Sequence, residues 1–311
     1  MDVATRPLRI GTRGSPLALV QTRAFMALLP PALAGAEEHI IATTGDAVQD
    51  RRLAEIGGKG LFAKEIHEAL HDRRIDCAVH SLKDLETELP DGIVLACTLA
   101  REDARDALIL GPGCAAGDPA DPYAALPPGA VIGTSSVRRQ AQMLHARPDL
   151  QVTLLRGNVQ TRLARVRGGD IAASLLALAG LRRLGLAAAA SLVLDPGVMV
   201  PAAGQGIVGI TARADDVALL AHLRRMTDAA SFAAAAAERA MLGALDGSCR
   251  TPIGAHATLR DGQIALTGLI ARPDGSFLLR RSMTGPIAEA AAIGLQLGRG
   301  LRDDSPPDII G

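Results

Sequence analysis

Three times in this chain a short apolar run ends in a turn that carries arginine and opens a helix. The stretch 133–162, GTSSVRRQAQMLHARPDLQVTLLRGNVQTR, holds two of these units in succession. A strand ends at Val131 and Ile132, Ser135 or Ser136 caps the next helix, and that helix opens with Arg138 and Arg139. A second strand, over 152–155, leads through Arg156, Gly157 and Asn158 into a helix bearing Arg162. A cation at a helix N-terminus is disfavoured by about 0.3–1 kcal/mol. Two consecutive units built this way therefore predict an anion held between arginines and helix N-termini. The third unit comes first in the chain: a strand over 8–10, then GTRGSP at 11–16, with Ser15 as N-cap and Pro16 at the first helical position. Arg13 thus falls at a strand C-terminus beside a helix N-terminus. Strands alternating with helices predict an α/β fold whose ligands bind at the strands' C-terminal ends.

Composition narrows the ligand. Net charge is zero, which excludes a general polyanion coat, and aromatics are 2%, too few for the stacking platforms of a single-strand nucleic-acid binder. Of 33 basic residues only Lys59, Lys64 and Lys83 are lysines, so arginine, suited to bidentate carboxylate or phosphate recognition, carries nearly all the positive charge. The N-terminal residues lack an apolar signal core and no run is long enough to span a membrane, which predicts a cytoplasmic protein. Cys77, Cys97, Cys114 and Cys249 have no metal-type spacing, and no metal site is expected.

In chain order, the first helix is predicted over 17–29, with Leu17, Val20, Ala24 and Leu28 facing the core. A strand over 39–42 precedes a polar stretch, 43–58, that reads either as a mobile lid or as a surface loop. GGKG at 57–60 leads into a helix over 61–71 and is no phosphate-binding P-loop, because no Ser or Thr follows the lysine at the required spacing. A buried strand over 76–80 delivers Ser81, Leu82, Lys83 and Asp84. His80 reads equally as a packed structural histidine or a site residue. Asp84 reads as a loop carboxylate or as the general acid/base of an arginine-rich site. A strand over 93–99 is followed by a charged crossing, 101–106, and an irregular segment, 111–129. The run 172–179 is buried, and 196–206 reads as a hinge. GQGIVG at 204–209 matches GxGxxG but precedes a strand rather than a helix, so it is not a dinucleotide site. After Asp228 an alanine-rich helix, 229–245, precedes strands at 253–259, 264–270 and 277–283 and a final helix at 287–302. Hairpin signals stand at 261–262 and 274–275. Cys249, in a tight loop beside Arg250, sits where a thiolate is favoured.

Taken together, IGTRGSPLAL (10–19), GGKGLFAKEI (57–66), HSLKD (80–84), REDARDA (101–107), GTSSVRRQ (133–140), LRGNVQTRL (155–163), AGLRRLG (179–185), PAAGQG (201–206) and GSCRTPIG (247–254) resemble the porphobilinogen deaminase (hydroxymethylbilane synthase) family, in register over nearly the whole chain. The resemblance implies two α/β domains like those of periplasmic binding proteins, with a substrate cleft between them, and a third small α+β domain. The expected boundaries are 1–105 plus 205–226, 106–204, and 227–311. It implies a transferase that deaminates porphobilinogen and joins four units head-to-tail onto a dipyrromethane cofactor held by Cys249 through a thioether, releasing hydroxymethylbilane. Asp84 matches the catalytic aspartate. Lys83, Ser136, Arg138, Arg139, Arg156, Gly157, Asn158 and Arg183 match cofactor contacts. Arg13, Ser15, Lys59, Phe62, Arg156, Arg162 and Gln205 match substrate contacts. The expected partner is the small molecule alone, with neither nucleic acid nor membrane, and the expected state is a monomer. The chain departs from the family pattern at Ala172, often Asp, and at Arg250, often Gln. A non-catalytic carboxylate-binding protein of the two-domain periplasmic type is the alternative; it accounts for the arginines but not for a third domain with Cys249.

Overall fold

A computed structural model describes residues 6–33, 35–47, 60–115, 117–245 and 251–309. The described residues divide into two compact units, one within 6–47, 60–102 and 207–232, the other within 103–206 and 233–309. In chain order the described strands are β1 Arg9–Thr12, β2 Glu37–Ile40, β3 Cys77–Ser81, β4 Ile93–Thr98, β5 Asp106–Leu110, β6 Val131–Gly133, β7 Gln151–Thr153, β8 Ala173–Ala177, β9 Leu192–Val193, β10 Val208–Arg213, β11 Ile253–Arg260, β12 Gln263–Ala271 and β13 Leu278–Pro286.

The first unit is built on a sheet of order β2-β1-β3-β10-β4. β1 runs parallel to β2 and β3, and β10 is antiparallel to β3 and β4. β3 and β10 are buried along nearly their whole length, as strands covered on both faces are, whereas the edge strand β2 stays partly exposed. Ile10, Phe25, Cys77, Val79, Cys97, Ile210 and Leu223 meet in the core of this unit. Burial pushes the Cys77 thiol up, away from reactivity. β1 contains Gly11 because any larger residue would collide with Ile75, whose Cδ1 lies 2.3 Å from where a Cβ would sit. The helix Pro16–Met26 starts where expected, with the Ser15 hydroxyl accepting from the Ala18 amide. Its inward face differs from expectation: Ala18, Gln21, Thr22 and Phe25 are buried, and Leu28 is 59% exposed. Polar contacts decide the rotation. Thr22 Oγ1 donates to Thr12 Oγ1 at 2.7 Å and Gln21 bonds Ser81 at 2.9 Å, leaving Phe25 as the apolar anchor.

The second unit holds a sheet of order β7-β6-β8-β5-β9, with β6 parallel to β7 and β8, and β5 antiparallel to β8 and β9. The run 172–179 divides into β8 and the helix Leu178–Arg183. β5 and the helix Val217–Arg225 escape the sequence reading. β5 is hidden because its first residue is an aspartate in a run of charges. The same unit contains the antiparallel sheet β11-β12-β13. The helices Ala229–Ala244 and Ala290–Asp303 cover it, with Ala237, Met241, Leu266, Ile270, Leu297 and Leu301 between them. Asp261 and Gly262, with φ of 50° and 75°, form the two-residue turn joining β11 to β12. Among the described residues no helix is long and apolar enough to cross a membrane.

Candidate active site

In the first unit the C-terminal ends of β1 and β3 open onto one pocket. Arg13, Ser15, Gln21, Phe62, Ser81 and Asp84 are among its lining residues. Arg13 leaves the end of β1. The single helical turn Leu82–Asp84, immediately after β3, carries Lys83 and Asp84. The Asp84 side chain is 36% exposed, and its Oδ2 lies 4.0 Å from Arg13 Nη1. Arg13 lies over the Phe62 ring, with Cζ 4.1 Å from the ring centroid. Its other edge is engaged by Asp46: Nε donates to Oδ2 at 2.9 Å and Nη2 donates to Oδ1. Burial alone would lower the Arg13 pKa, but the hydrogen bond to Asp46 and the charge of Asp84 raise it, so Arg13 is a permanent cation.

Asp46 belongs to the short helix Thr44–Ala47, within the polar stretch left open as lid or loop. Thr43 Oγ1 donates to Asp46 Oδ2 at 2.8 Å, the Gly45 amide donates to the Leu61 carbonyl at 2.8 Å, and the Thr44 amide donates to Glu65 at 3.0 Å. Gly45 allows Phe62 to approach, since a Cβ there would fall 2.5 Å from the ring. Residues 48–58 of that stretch, and Lys59, lie outside the described residues. His80 also lines the pocket and is buried, with Nε2 2.9 Å from Thr211 Oγ1, and its ring lies 5.9 Å from that of His67. Burial depresses both imidazoles, His67 to about 4 with help from His71, and His80 to about 3 with help from His67 and Arg13. Both are therefore neutral near pH 7.

The second unit treats its arginines differently. Ser136 caps the helix Val137–Ala146, accepting from the Arg139 amide, and Arg138 and Arg139 turn inward, each 5% exposed. The anion between them is Asp106, the fully buried first residue of β5. Arg138 Nη2 lies 2.8 Å from Oδ2, and Arg139 donates to Oδ1 from Nη2 at 2.7 Å and from Nε at 3.1 Å. Arg138 also donates to the Val200 carbonyl, and Arg139 to that of Leu175 at 2.7 Å. Gln205, fully buried, donates to the Ala104 carbonyl at 2.7 Å and to Asp106 Oδ1 at 3.0 Å. Burial would push the Asp106 carboxyl up, but the two guanidiniums outweigh it and hold the group well below the usual carboxylate range. The sequence argument called for an anion at this helix; the fold supplies one from its own chain.

The turn after β7 keeps the expected form. Gly157, at φ 98°, lets Asn158 cap the helix Val159–Arg167 by accepting from the Thr161 amide at 2.9 Å. Arg162 Nε donates to the Gly157 carbonyl at 3.0 Å, and Arg156 is half-buried beside it in sequence. Arg183 donates to the Gly206 carbonyl at 2.7 Å, next to Gln205. Cys249 and Arg250 lie outside the described residues. Among the described residues no His, Cys, Asp and Glu cluster could hold a metal ion.

The family description "Porphobilinogen deaminase, dipyromethane cofactor binding domain" matches residues 8–221, and "Porphobilinogen deaminase, C-terminal domain" matches 232–303. The chain belongs to the porphobilinogen deaminase family. Porphobilinogen deaminase of Paracoccus denitrificans is 46% identical over 97% of this chain and 96% of its own length. That of Caulobacter sp. strain K31 is 48% identical over 99% of both, and the chloroplastic enzyme of Oryza sativa is 48% identical over 90% of this chain and 78% of its own. A Salmonella typhimurium periplasmic binding protein of high arginine specificity superposes with a TM-score of 0.40 at 12% identity over 73% of this chain and 94% of its own, too loosely to add to the topology. Within the porphobilinogen deaminase framework two acidic residues were missed as site residues: Asp46 and Asp106. Asp106 lies inside the motif at 101–107, and its signal was an aspartate opening an apolar run in a chain whose two adjacent arginines, Arg138 and Arg139, needed a counter-ion.

Proposed function

We propose that this chain is a transferase that removes ammonia from porphobilinogen and joins four units head-to-tail onto a dipyrromethane attached at Cys249, releasing hydroxymethylbilane. The observation that carries the reading is the half-exposed Asp84 carboxylate held 4.0 Å from Arg13, in a chain that matches the family from residue 8 to 303. A dipyrromethane bears carboxylates and pyrrole N–H groups, and the described residues fit such a group. In the first unit Asp84 offers a carboxylate to N–H donors, Arg13 offers a cation beside it and Lys83 adjoins it in sequence; in the second, Arg156 follows β7 and Arg183 ends the helix Leu178–Arg183. When bound, the cofactor supplies the pyrrole carbon to which the first unit is joined.

The chain's own residues do the rest. As ammonia leaves the substrate's aminomethyl group, positive charge develops on that carbon and spreads into the ring. Asp84 stabilises it, and can hold the proton that the attacking pyrrole carbon gives up once the new carbon–carbon bond has formed. Arg13, with Ser15 and Phe62, orients the substrate carboxylates, and Lys59 and Arg162 complete the substrate contacts. Arg138, Arg139 and Gln205 act on the site as positioning groups, because their donors are engaged by Asp106 and main-chain carbonyls. They fix the turn in which Ser136 meets the cofactor, as Gly157 and Asn158 fix theirs.

The chain works as three domains divided near 105, 204 and 227, a reading supported by its three sheets. It works in the cytoplasm as a monomer, without nucleic acid or membrane. The zero net charge and 2% aromatic content support the absence of a nucleic-acid partner. One experiment tests the reading: purified protein is given porphobilinogen, ammonia and hydroxymethylbilane are followed, and the intact mass is measured. The expected result is turnover by a protein heavier than its 32.1 kDa polypeptide by one dipyrrole, lost in Cys249→Ser. Turnover by a protein with unmodified Cys249 would overturn the cofactor assignment.

A further inference from the structure

Arg13 stands between two carboxylates and is bound to the one with no assigned task. A guanidinium offers a carboxylate two edges, the side edge of Nε with one Nη and the end edge of both Nη atoms. Asp46 takes the side edge with both of its oxygens. Phe62 covers one face of the guanidinium, and the Thr43 hydroxyl fixes the Asp46 carboxylate from behind. The plane of Arg13 is therefore set, and Nη1 stops 4.0 Å from Asp84, beyond the roughly 2.7–2.9 Å of a charge-assisted hydrogen bond. The contacts that hold Asp46 also come from the strip that supplies Phe62: the Gly45 amide on the Leu61 carbonyl, and Thr44 on Glu65.

Among the described residues, the nearest anion left to Arg13 without Asp46 is Asp84. A turn of the guanidinium would close that gap and form a direct ion pair. An Asp84 carboxylate neutralised in that way is a poor partner for a substrate on which positive charge is developing. We propose that Asp46 is a positioning residue that holds Arg13 off Asp84 and leaves the Asp84 carboxylate available to the cationic substrate. This rests on the role given above to Asp84.

The test compares the unsubstituted holoenzyme with Asp46→Asn and Asp46→Glu, each checked by intact mass to carry the dipyrrole. For Asp46→Asn the expected result is a kcat lower by about a hundredfold, the effect of a misplacement of about 1 Å. Its KM stays within about threefold, because the loss falls on the transition state. Asp46→Glu restores most of the loss, since it keeps the carboxylate. An unchanged kcat in Asp46→Asn, with or without a higher KM, would overturn the inference, as would a Glu variant no better than Asn. Absence of turnover in the unsubstituted enzyme would instead overturn the functional reading, so the two failures are distinct.

Discussion

The turn from β1 into the helix Pro16–Met26 and the turn from β6 into Val137–Ala146 occupy the same place in their sheets. Each strand is second in its five-stranded sheet with a parallel neighbour on both sides, and each helix is capped by a serine. The arginines they carry are handled in opposite ways. The Arg13 side chain is 21% exposed, lines a pocket and lies within reach of two half-exposed carboxylates. The Arg138 and Arg139 side chains are 6% exposed and close on a carboxylate with no exposure at all. A charge left at a pocket can exchange one partner for another at small cost. A charge taken out of water needs a permanent counter-ion, because the desolvation of an unpaired guanidinium is worth several kcal/mol. The first corner is therefore suited to chemistry and the second to holding shape.

Removing each corner's counter-ion is the direct way to break this comparison. Asp106→Ala strands two buried guanidiniums and is expected to cost about 3–5 kcal/mol in chemical denaturation. A loss below about 1 kcal/mol would show that the second corner is no more committed than the first. Asp84→Asn keeps the shape of the side chain and removes its charge. It should lower kcat by about a hundredfold or more, on the scale of losing one preorganised electrostatic partner, with the melting temperature little changed. Near-normal turnover would take Asp84 out of the chemistry. Asp46→Asn, measured for stability, should cost about 1 kcal/mol or less, as for other part-exposed pairs. A loss as large as that of Asp106→Ala would erase the distinction between the corners.

The smallest expected effect concerns pH. His67 and His80 are held neutral, with pKa values of about 4 and about 3 against an ordinary 6.5. Between those limits the unfolded chain binds the extra protons, so stability is complete above about pH 6.5 and falls as pH drops toward 4. A melting temperature followed over that range should decline, and the decline should be shallower in His67→Gln. An equal slope in that variant would assign the decline to other groups.

The readable parts of this molecule are local. Ser15 and the Ser135–Ser136 pair were legible as caps because a cap depends on a few neighbouring residues, and the hairpin turn at Asp261 and Gly262 for the same reason. The buried face of the first helix was misread because the hydroxyl of Thr12 and the side chain of Ser81, distant in sequence, draw Thr22 and Gln21 inward. β5 stayed hidden because its first residue, Asp106, closes a run of charges, and only burial against Arg138 and Arg139 makes that aspartate part of a strand.

By itself the sequence determined the alternation of strand and helix, the family, and the identity of the charged residues at the strand ends, because periodicity, capping and motif order are properties of the chain. Only the tertiary structure decided which anion each arginine meets. Arg139 lies 33 residues from Asp106, and Arg13 lies 33 residues from Asp46. Opposite charges so far apart in sequence pair only where folding removes the water between them, and burial then separates a permanent pair from one left at an open pocket.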